Sequence, residues 1–378
     1  MPSEATLGDP LPRDADRAAL VGRVWRDDLG GPSLVAIRGG RAFDITSRAL
    51  PTMRDLLEQD DPATALRAAE GEDLGDISGL RLLAPADLQA IKACGVTFAD
   101  SLLERVIEEM ADGDPSRAND LRAGLSDRLG VDLGTIRPGS AEAEALKATL
   151  VARGVWSQYM EVGLGPDAEV FTKAQPMSAV GHGAEIGILR ASAWNNPEPE
   201  IVLAVDSRSR IVGATLGNDV NLRDIEGRSA LLLGRAKDNT ASAAIGPFIR
   251  LFDADFTLDD IRRAEVMLDV VGADGFHMTG RSSMTRISRD PADLVSAAMG
   301  AHHQYPDGMM LYLGTMFAPV QDRDTPGMGF THHSGDRVTI ASPTLGRLVN
   351  TVRHAEDCAP WRFGTADLMR NLARRRLL

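Results

Sequence analysis

The feature that most constrains the fold of this chain is the run from Glu198 to Asp219, in which two apolar stretches flank a short polar turn. Pro199 excludes a helix interior, because its ring fixes φ and removes a backbone donor. Ile201 to Val205 comes next, β-branched and apolar, and reads as a strand. Ser207-Arg208-Ser209 then makes a turn, and Ile211 to Leu216 returns as a second strand, which leads to Gly217-Asn218-Asp219. Residues two apart on a strand share a face, so Glu198 and Glu200 point the same way. The returning strand can bring Asp219 beside them. Carboxylates so grouped repel one another, and a bound cation relieves the repulsion. Three oxygen ligands suit a hard cation such as Mg²⁺, with positions left for substrate oxygens and water. The spacing alone leaves a second reading open, a strand with solvated glutamates on its outer face.

The residues after the hairpin narrow the choice. Asn218-Asp219-Val220-Asn221-Leu222-Arg223-Asp224 precedes Lys237 and then Gly246-Pro247. The order E-x-E, N-D-x-x-x-R-D, lysine, G-P resembles the fumarylacetoacetate hydrolase family. Phe171-Thr172-Lys173 is similar to that family's F-x-K strand, and Gly314-Thr315 with Gly335-Asp336 to its late segment. The resemblance covers roughly residues 88 to 350. Longer phrases, among them WNNPEPE, GNDVNLRDIEGRSALLL and HQYPDG, resemble one branch of the family, the 2-keto-3-deoxy-sugar-acid dehydratases.

The resemblance implies a fold and a chemistry. The fold is α+β and mainly β, a mixed β-roll preceded by a small N-terminal domain. Glu198, Glu200 and Asp219 would hold Mg²⁺, for which Mn²⁺ could substitute. Lys237 would be the active-site lysine, donating to a developing enolate or releasing a proton if its pKa falls. Lys173, Thr315 and Phe171 would line the substrate pocket, with Thr315 on the substrate carboxylate. Arg223 and Asp224 would support the ligands. One departure stands out. Where the family has N-Y-x-x-H followed by a glutamate, this chain has Thr97-Phe98-Ala99-Asp100-Ser101 and then Glu104. Ser101 replaces the histidine that serves water activation in hydrolases, and Glu104 stays as a candidate acid or base. That departure favours dehydration of a 2-keto-3-deoxypentonate to 2,5-dioxopentanoate. An acylpyruvate-type hydrolase or decarboxylase is the alternative within the family. A metal-dependent sugar-acid binding protein without turnover is the alternative outside it.

Composition removes other classes. The chain has 378 residues, 41 basic and 54 acidic, for a net charge of −13. That charge argues against a polyanionic partner such as nucleic acid, while a small anionic sugar acid beside a metal remains compatible. Cys94 and Cys358 are the only cysteines, too few for a disulfide framework and compatible with a reducing cytoplasm. No signal peptide or membrane-spanning run is apparent. His302-His303 and His332-His333 suggest zinc, but no third ligand has a defined spacing. A homodimer or homotetramer is expected from the resemblance.

Residues 1 to about 17 are polar, carry three prolines and read as disordered. Leu20 to Ile45 reads as a β-meander, and Thr52 to Ala69 as a helix that Asp60-Asp61-Pro62 can interrupt. Residues 1–85 would form a small β-rich domain and 86–378 the catalytic domain, with a helical insertion at about 105–155. Further strands are expected at Val170 to Val180, Ala264 to Val271 and Met309 to Leu313, with a closing hairpin at Arg337 to Ile340 and Leu345 to Val349. Helices are expected at Asp290 to Met299, started by Asp290-Pro291, and at Leu368 to Leu378.

Overall fold

The computed structural model describes residues 8–129, 133–317 and 319–378. Its first strands, β1 (Leu20–Arg26), β2 (Gly31–Arg38) and β3 (Arg41–Asp44), are the expected meander, and β4 (Glu72–Asp76) and β5 (Leu82–Leu83) extend it. The later strands are β6 (Ala90–Cys94), β7 (Val170–Ala174), β8 (Glu185–Ile188), β9 (Asn195–Asn196), β10 (Pro199–Val205), β11 (Ile211–Asp219) and β12 (Asn221–Leu222). They continue with β13 (Ala243–Leu251), β14 (Glu265–Val271), β15 (His277–Ser283), β16 (Met309–Tyr312), β17 (Arg337–Ser342) and β18 (Gly346–His354). One sheet runs in the order β4-β3-β2-β1-β13-β11-β10-β16-β6-β7, with β5 on β1; a second runs β15-β14-β17-β18-β8. Both are antiparallel except at the β16–β6 and β18–β8 pairs. This is a mixed, mainly β architecture with helices at its margins.

β10 is buried along its whole length because both of its faces are covered. Ile201, Leu203 and Val205 enter the core shared with the second sheet, with Leu268, Val270 and Ile340. Val202 and Ala204 enter the opposite core, where Met53, Leu56 and Leu57 of a short helix pack. Each such fully buried aliphatic side chain contributes roughly 1.5–3 kcal/mol, so the hairpin that carries the acids is firmly anchored. The idea of solvated glutamates on an outer face is thereby overturned, since Glu198 and Glu200 are 3% and 1% exposed.

The stretch from Thr52 to Ala69 is two helices, Met53–Leu57 and Pro62–Ala68, with Asp61 capping the second and Pro62 in its first turn. The N-terminal strands join the same sheet as the later ones, through Leu20 opposite Arg250 and Val21 opposite Ile249. Of the segment expected to be disordered, residues 1–7 lie outside the described residues. Residues 8–17 are held in place, because Arg250 grips Asp14 at 2.7 and 2.8 Å and the Arg13 amide donates to Pro343 O. The insertion has helices at Pro115–Leu129 and Ala141–Ala152, following the Ala99–Met110 helix. They share a small core of Val106, Ile107, Leu150, Met160 and Trp194. The Pro291–Ala298 and Thr365–Arg374 helices are where the sequence puts them, the first capped by Asp290. Both cysteines are free and buried. No described helix is long and apolar enough to cross a membrane.

Candidate metal centre

Local sequence folds the acids together. β10 and β11 pair with Pro199 opposite Asn218 and Glu200 opposite Gly217. The Asp219 amide donates to Glu198 O at 3.0 Å, and the Glu198 amide donates to the Asn218 side-chain oxygen at 3.0 Å. Asn218 thus fixes the register that places Asp219 next to Glu198. Just beyond β16, Gly314 adopts φ +97, and its amide donates to Glu200 Oε2 at 2.7 Å. A side chain at Gly314 would put its Cβ 2.1 Å from Thr97 Oγ1, so only glycine fits. Glu198, Glu200 and Asp219 each offer a carboxylate oxygen within 4.8 Å of the others, and all three are buried. Among the described residues they form the one such group. The histidine pairs do not join it: His302 and His303 lie on the surface, while His332 and His333 serve Asp336.

The surrounding cations are unevenly shared. Lys237 closes the Leu233–Lys237 helix and donates to Glu198 Oε2 at 2.5 Å and Asp219 Oδ2 at 3.2 Å. Lys173 Nζ lies 2.8 Å from Asp219 Oδ1 and also donates to Val220 O and Lys237 O. Arg105 donates to Glu198, to Glu108 at 2.6 Å, and sits 3.2 Å from Glu226. No described cation pairs with Glu200, whose one hydrogen-bond donor is Gly314.

The acidities reflect this sharing. Burial raises Glu200 well above the usual carboxylate range, and the charges of Asp219 and Glu198 add to it. Burial also raises Glu198, against the pull of Lys237 and Arg105. For Asp219 burial is outweighed by Lys173 and Lys237, and its pKa is lowered. A buried carboxylate with one amide donor and two acidic neighbours is short of positive charge. An all-oxygen set of this kind fits a hard divalent cation.

Several expected residues take definite positions. Thr315, Ser101 and Glu104 line one cleft with Arg105, Glu108, Asn196, Glu198, Arg223 and Phe317. Lys173 is fully buried and sits against Asp219, behind the cleft rather than lining it. Burial lowers its ammonium, against the pull of Asp219. Phe171 has Lys237 Nζ 5.8 Å from its ring centre. The Lys237 ammonium is set by the acids around it in the metal-free protein. Burial favours loss of the charge, but Asp219, Glu198 and Glu226 outweigh it and hold the ammonium above the usual lysine range. Glu104 is not the free acid or base expected from the sequence. Arg122 grips both its oxygens, at 2.8 and 2.7 Å, and Arg223 adds a third bond at 3.0 Å. Ser101 Oγ donates to Phe98 O at 2.8 Å. Arg223 also binds Glu108 at 2.5 Å and Pro319 O at 3.0 Å, and Asp224 accepts from Ser192 Oγ and the Ala193 amide. Neither touches Glu198, Glu200 or Asp219: Arg223 braces the cleft wall through Glu104 and Glu108, and Asp224 holds the Ser192–Ala193 turn.

Three residues of the site escaped the sequence reading: Arg105, Glu226 and Glu169. Arg105 and Glu108 follow Ser101 at helical spacing, a signal that the stripe Ser101, Glu104, Arg105, Glu108 faces one way. Glu226 stands two residues after Asp224. Glu169 stands two residues before Phe171. It is partly covered as a residue, but its carboxylate lies inside, where a Cβ on Gly95 would collide with it. Burial pushes its pKa up to about 7, helped by the charge of Glu226 and opposed by Arg105 and Lys237. A wider hollow lined by Arg137, Pro166, Arg289 and Asp293 holds none of the triad. Its Arg289 is taken up by the carbonyls of Val162 and Gly165.

Residues 148–353, more than half of the chain, match the model of the fumarylacetoacetate (FAA) hydrolase C-terminal domain. The chain belongs to the fumarylacetoacetate hydrolase family. It is 29% identical over 188 residues to a 2-dehydro-3-deoxy-D-arabinonate dehydratase of Saccharolobus solfataricus, covering 49% of this chain and 58% of that protein. It is 31% identical over 201 residues to a probable 2-keto-3-deoxyxylonate dehydratase of Haloferax volcanii, covering 51% and 63%. These matches thus span less than two thirds of either relative. Among solved structures, a 2-keto-3-deoxy-D-arabinonate dehydratase complexed with magnesium and 2,5-dioxopentanoate superposes with a TM-score of 0.62 at 20% identity, covering 89% of this chain and 99% of that one. A fumarylacetoacetate hydrolase from psychrophilic Exiguobacterium antarcticum gives 0.57 at 17% identity, covering 89% and 100%. Both share the fold.

Proposed function

We propose that the protein is a hydro-lyase that dehydrates a 2-keto-3-deoxypentonate to 2,5-dioxopentanoate. The observation that carries this reading is the buried Glu198-Glu200-Asp219 set, short of positive charge, beside a lysine held as an ammonium. Mg²⁺ held there, or Mn²⁺ in its place, would polarise the 2-keto group and stabilise an enolate. The remaining work falls to side chains. A base takes the C3 proton, the C4–O bond breaks, and water departs with the proton it needs. A proton shift from C5 to C3 then converts the allylic alcohol to the C4–C5 enol, and loss of the enol O–H proton with protonation at C4 gives the aldehyde, with no oxidant or reductant.

Glu169 is the base we favour. Its pKa stands near 7, and no hydrogen-bond donor among the described residues reaches its carboxylate. General-base catalysis of this kind is worth roughly 10²–10⁴-fold. Lys237 keeps its proton and donates to the charge that develops on oxygen. Thr315 offers its hydroxyl to the substrate carboxylate. Lys173 fixes Asp219, and Phe171 covers Lys237. Ser101 stands where a hydrolase would need a water-activating histidine, which speaks for dehydration over C–C hydrolysis.

Both C4 epimers of the substrate, incubated with Mg²⁺ and the protein and followed by NMR, test the reading. Formation of 2,5-dioxopentanoate from one epimer supports it. Pyruvate, CO₂ or unchanged substrate would overturn it. Residues 1–85 are further proposed as a unit separable from 86–378. Soluble, folded 86–378 expressed alone would support that division, and insoluble protein would refute it.

A further inference from the structure

The insertion supplies part of the cleft itself. The turn joining the Ala99–Met110 helix to the Pro115–Leu129 helix is pressed backbone to backbone against the Arg223–Glu226 helix. Gly113, at φ +73, would place a Cβ 2.6 Å from Asp224 O, and Gly227 would place one 2.9 Å from Glu108 O. No side chain fits at either contact, so the base of the insertion is fixed against the segment that carries Asp219 and Arg223. From the second helix Arg122 then reaches back across the cleft wall. Its guanidinium forks onto Glu104, Nε to Oε1 at 2.8 Å and Nη2 to Oε2 at 2.7 Å. Arg223 takes Oε2 from the other side at 3.0 Å. Bidentate arginine pairing fixes a carboxylate in direction as well as charge.

Glu104 is 8% exposed and lines the same cleft as Glu198 and Thr315. With three of its lone-pair positions taken by guanidinium N–H groups, it has acceptor capacity left. Its complement in a ligand is an O–H group. A second carboxylate on the ligand would instead meet like charge. Ser101, one turn earlier on the same helix face, offers a hydroxyl beside it.

We propose that Glu104 is the acceptor for the terminal hydroxyl of the substrate, and that Arg122, contributed by the insertion, is the positioning residue that makes this site select hydroxylated monoanionic keto acids. The assignment rests on the dehydratase reading for the identity of the substrate. It treats Glu104 as a recognition residue and leaves proton transfer to Glu169.

Two unreactive probes separate the hydroxyl from the chemistry: 5-hydroxy-2-oxopentanoate and 2-oxopentanoate, neither of which has a C4 hydroxyl to lose. Calorimetry on the full chain loaded with Mg²⁺ measures both. Wild type binds the hydroxylated probe about 10-fold or more tightly, as expected for a hydrogen bond to a charged acceptor. Arg122→Met brings the two affinities within about threefold, Arg122→Lys recovers part of the preference, and Mg²⁺ affinity stays unchanged in both. A purely structural role for Arg122 would weaken both probes in proportion, and that result overturns the proposal. So does equal binding of the probes by wild type, or binding of neither. The product assay is independent. If 2,5-dioxopentanoate fails to form while the hydroxyl preference holds, the dehydratase reading falls and the hydroxyl site stands. If product forms while the preference is absent, this inference alone falls.

Discussion

Two buried ionic clusters among the described residues differ in balance rather than in depth. Around Asp336, Arg323 donates at 2.6 and 2.7 Å, the His333 amide at 2.9 Å, and His332 Nδ1 stands at 3.1 Å. Burial would raise Asp336, but those donors win and hold it far below the usual carboxylate range. Around Glu200 one amide donates and two carboxylates face it, and its pKa moves the other way. The first cluster meets its buried carboxylate with its own cation and donors. It clamps the loop through Arg323 and Thr331 onto β17, with Arg323 Nη1 also on Thr331 O. The second leaves Glu200 without a cation partner among the described residues. Burial of charge is therefore no sign of a site; burial of charge without its counterpart is.

The largest expected effect sharpens that contrast. Glu200→Gln abolishes turnover and Mg²⁺ binding while the protein stays folded, and EDTA inactivates wild type until Mg²⁺ or Mn²⁺ is restored. Assays of activity with circular dichroism decide it. Asp336→Asn does the reverse. Removing one partner of a buried pair costs roughly 3–5 kcal/mol, so denaturant unfolding should find a much weaker protein whose folded fraction still binds Mg²⁺.

Smaller effects probe the proton steps. Lys237→Met lowers kcat more than it raises KM, because its ammonium acts on charge that develops late. Glu169→Gln lowers kcat by roughly 10²-fold or more and removes the acidic limb of the pH profile. That limb lies below 7 in the loaded enzyme, because the cation favours the ionised form of Glu169. An unchanged profile in Glu169→Gln would return the base role to another group.

The smallest effect is a slope. Glu198 and Glu200 have folded pKa values above their ordinary ones. Their contribution to stability is thus full at pH below the ordinary carboxylate range and is lost as pH rises through the folded values. The metal-free protein should lose melting temperature from about pH 5 upward, and Glu200→Gln should lose less. Asp336, lowered instead, has the opposite sign: its contribution is present at neutral pH and is lost on acidification. Parallel slopes for wild type and Glu200→Gln would break the comparison.

Much of this was legible in the sequence, for reasons that can be named. The β10–β11 hairpin and the acids at its ends are local: proline, β-branched run, turn and N-D all lie within about twenty residues, and their register is set by that proximity. β13 was not foreseen, because Gly246-Pro247 inside it argues against a strand. The structure absorbs the proline by a register shift opposite Ala214 to Leu216. β15 was also missed, since His277–Ser283 is polar and mostly exposed on one face. Among site residues, Glu198, Glu200, Asp219, Lys237 and Thr315 were legible from motifs. Arg105 had only its helical spacing after Ser101 to signal it, and Arg122, Glu226 and Glu169 were not legible. The part of Arg122 and Glu169 depends on the long-range approach of the insertion and of β7 to the hairpin, which no spacing along the chain encodes. Glu104 was read with the right position and the wrong partners, because the arginines that hold it come from residues 122 and 223.

The most direct test of the central claim is calorimetric titration of the metal-free protein with Mg²⁺, run in parallel on wild type, Glu200→Gln and Asp336→Asn. One ion per chain should bind to wild type and to the folded Asp336→Asn protein, with no measurable binding to Glu200→Gln. Equal binding to wild type and Glu200→Gln would contradict the account.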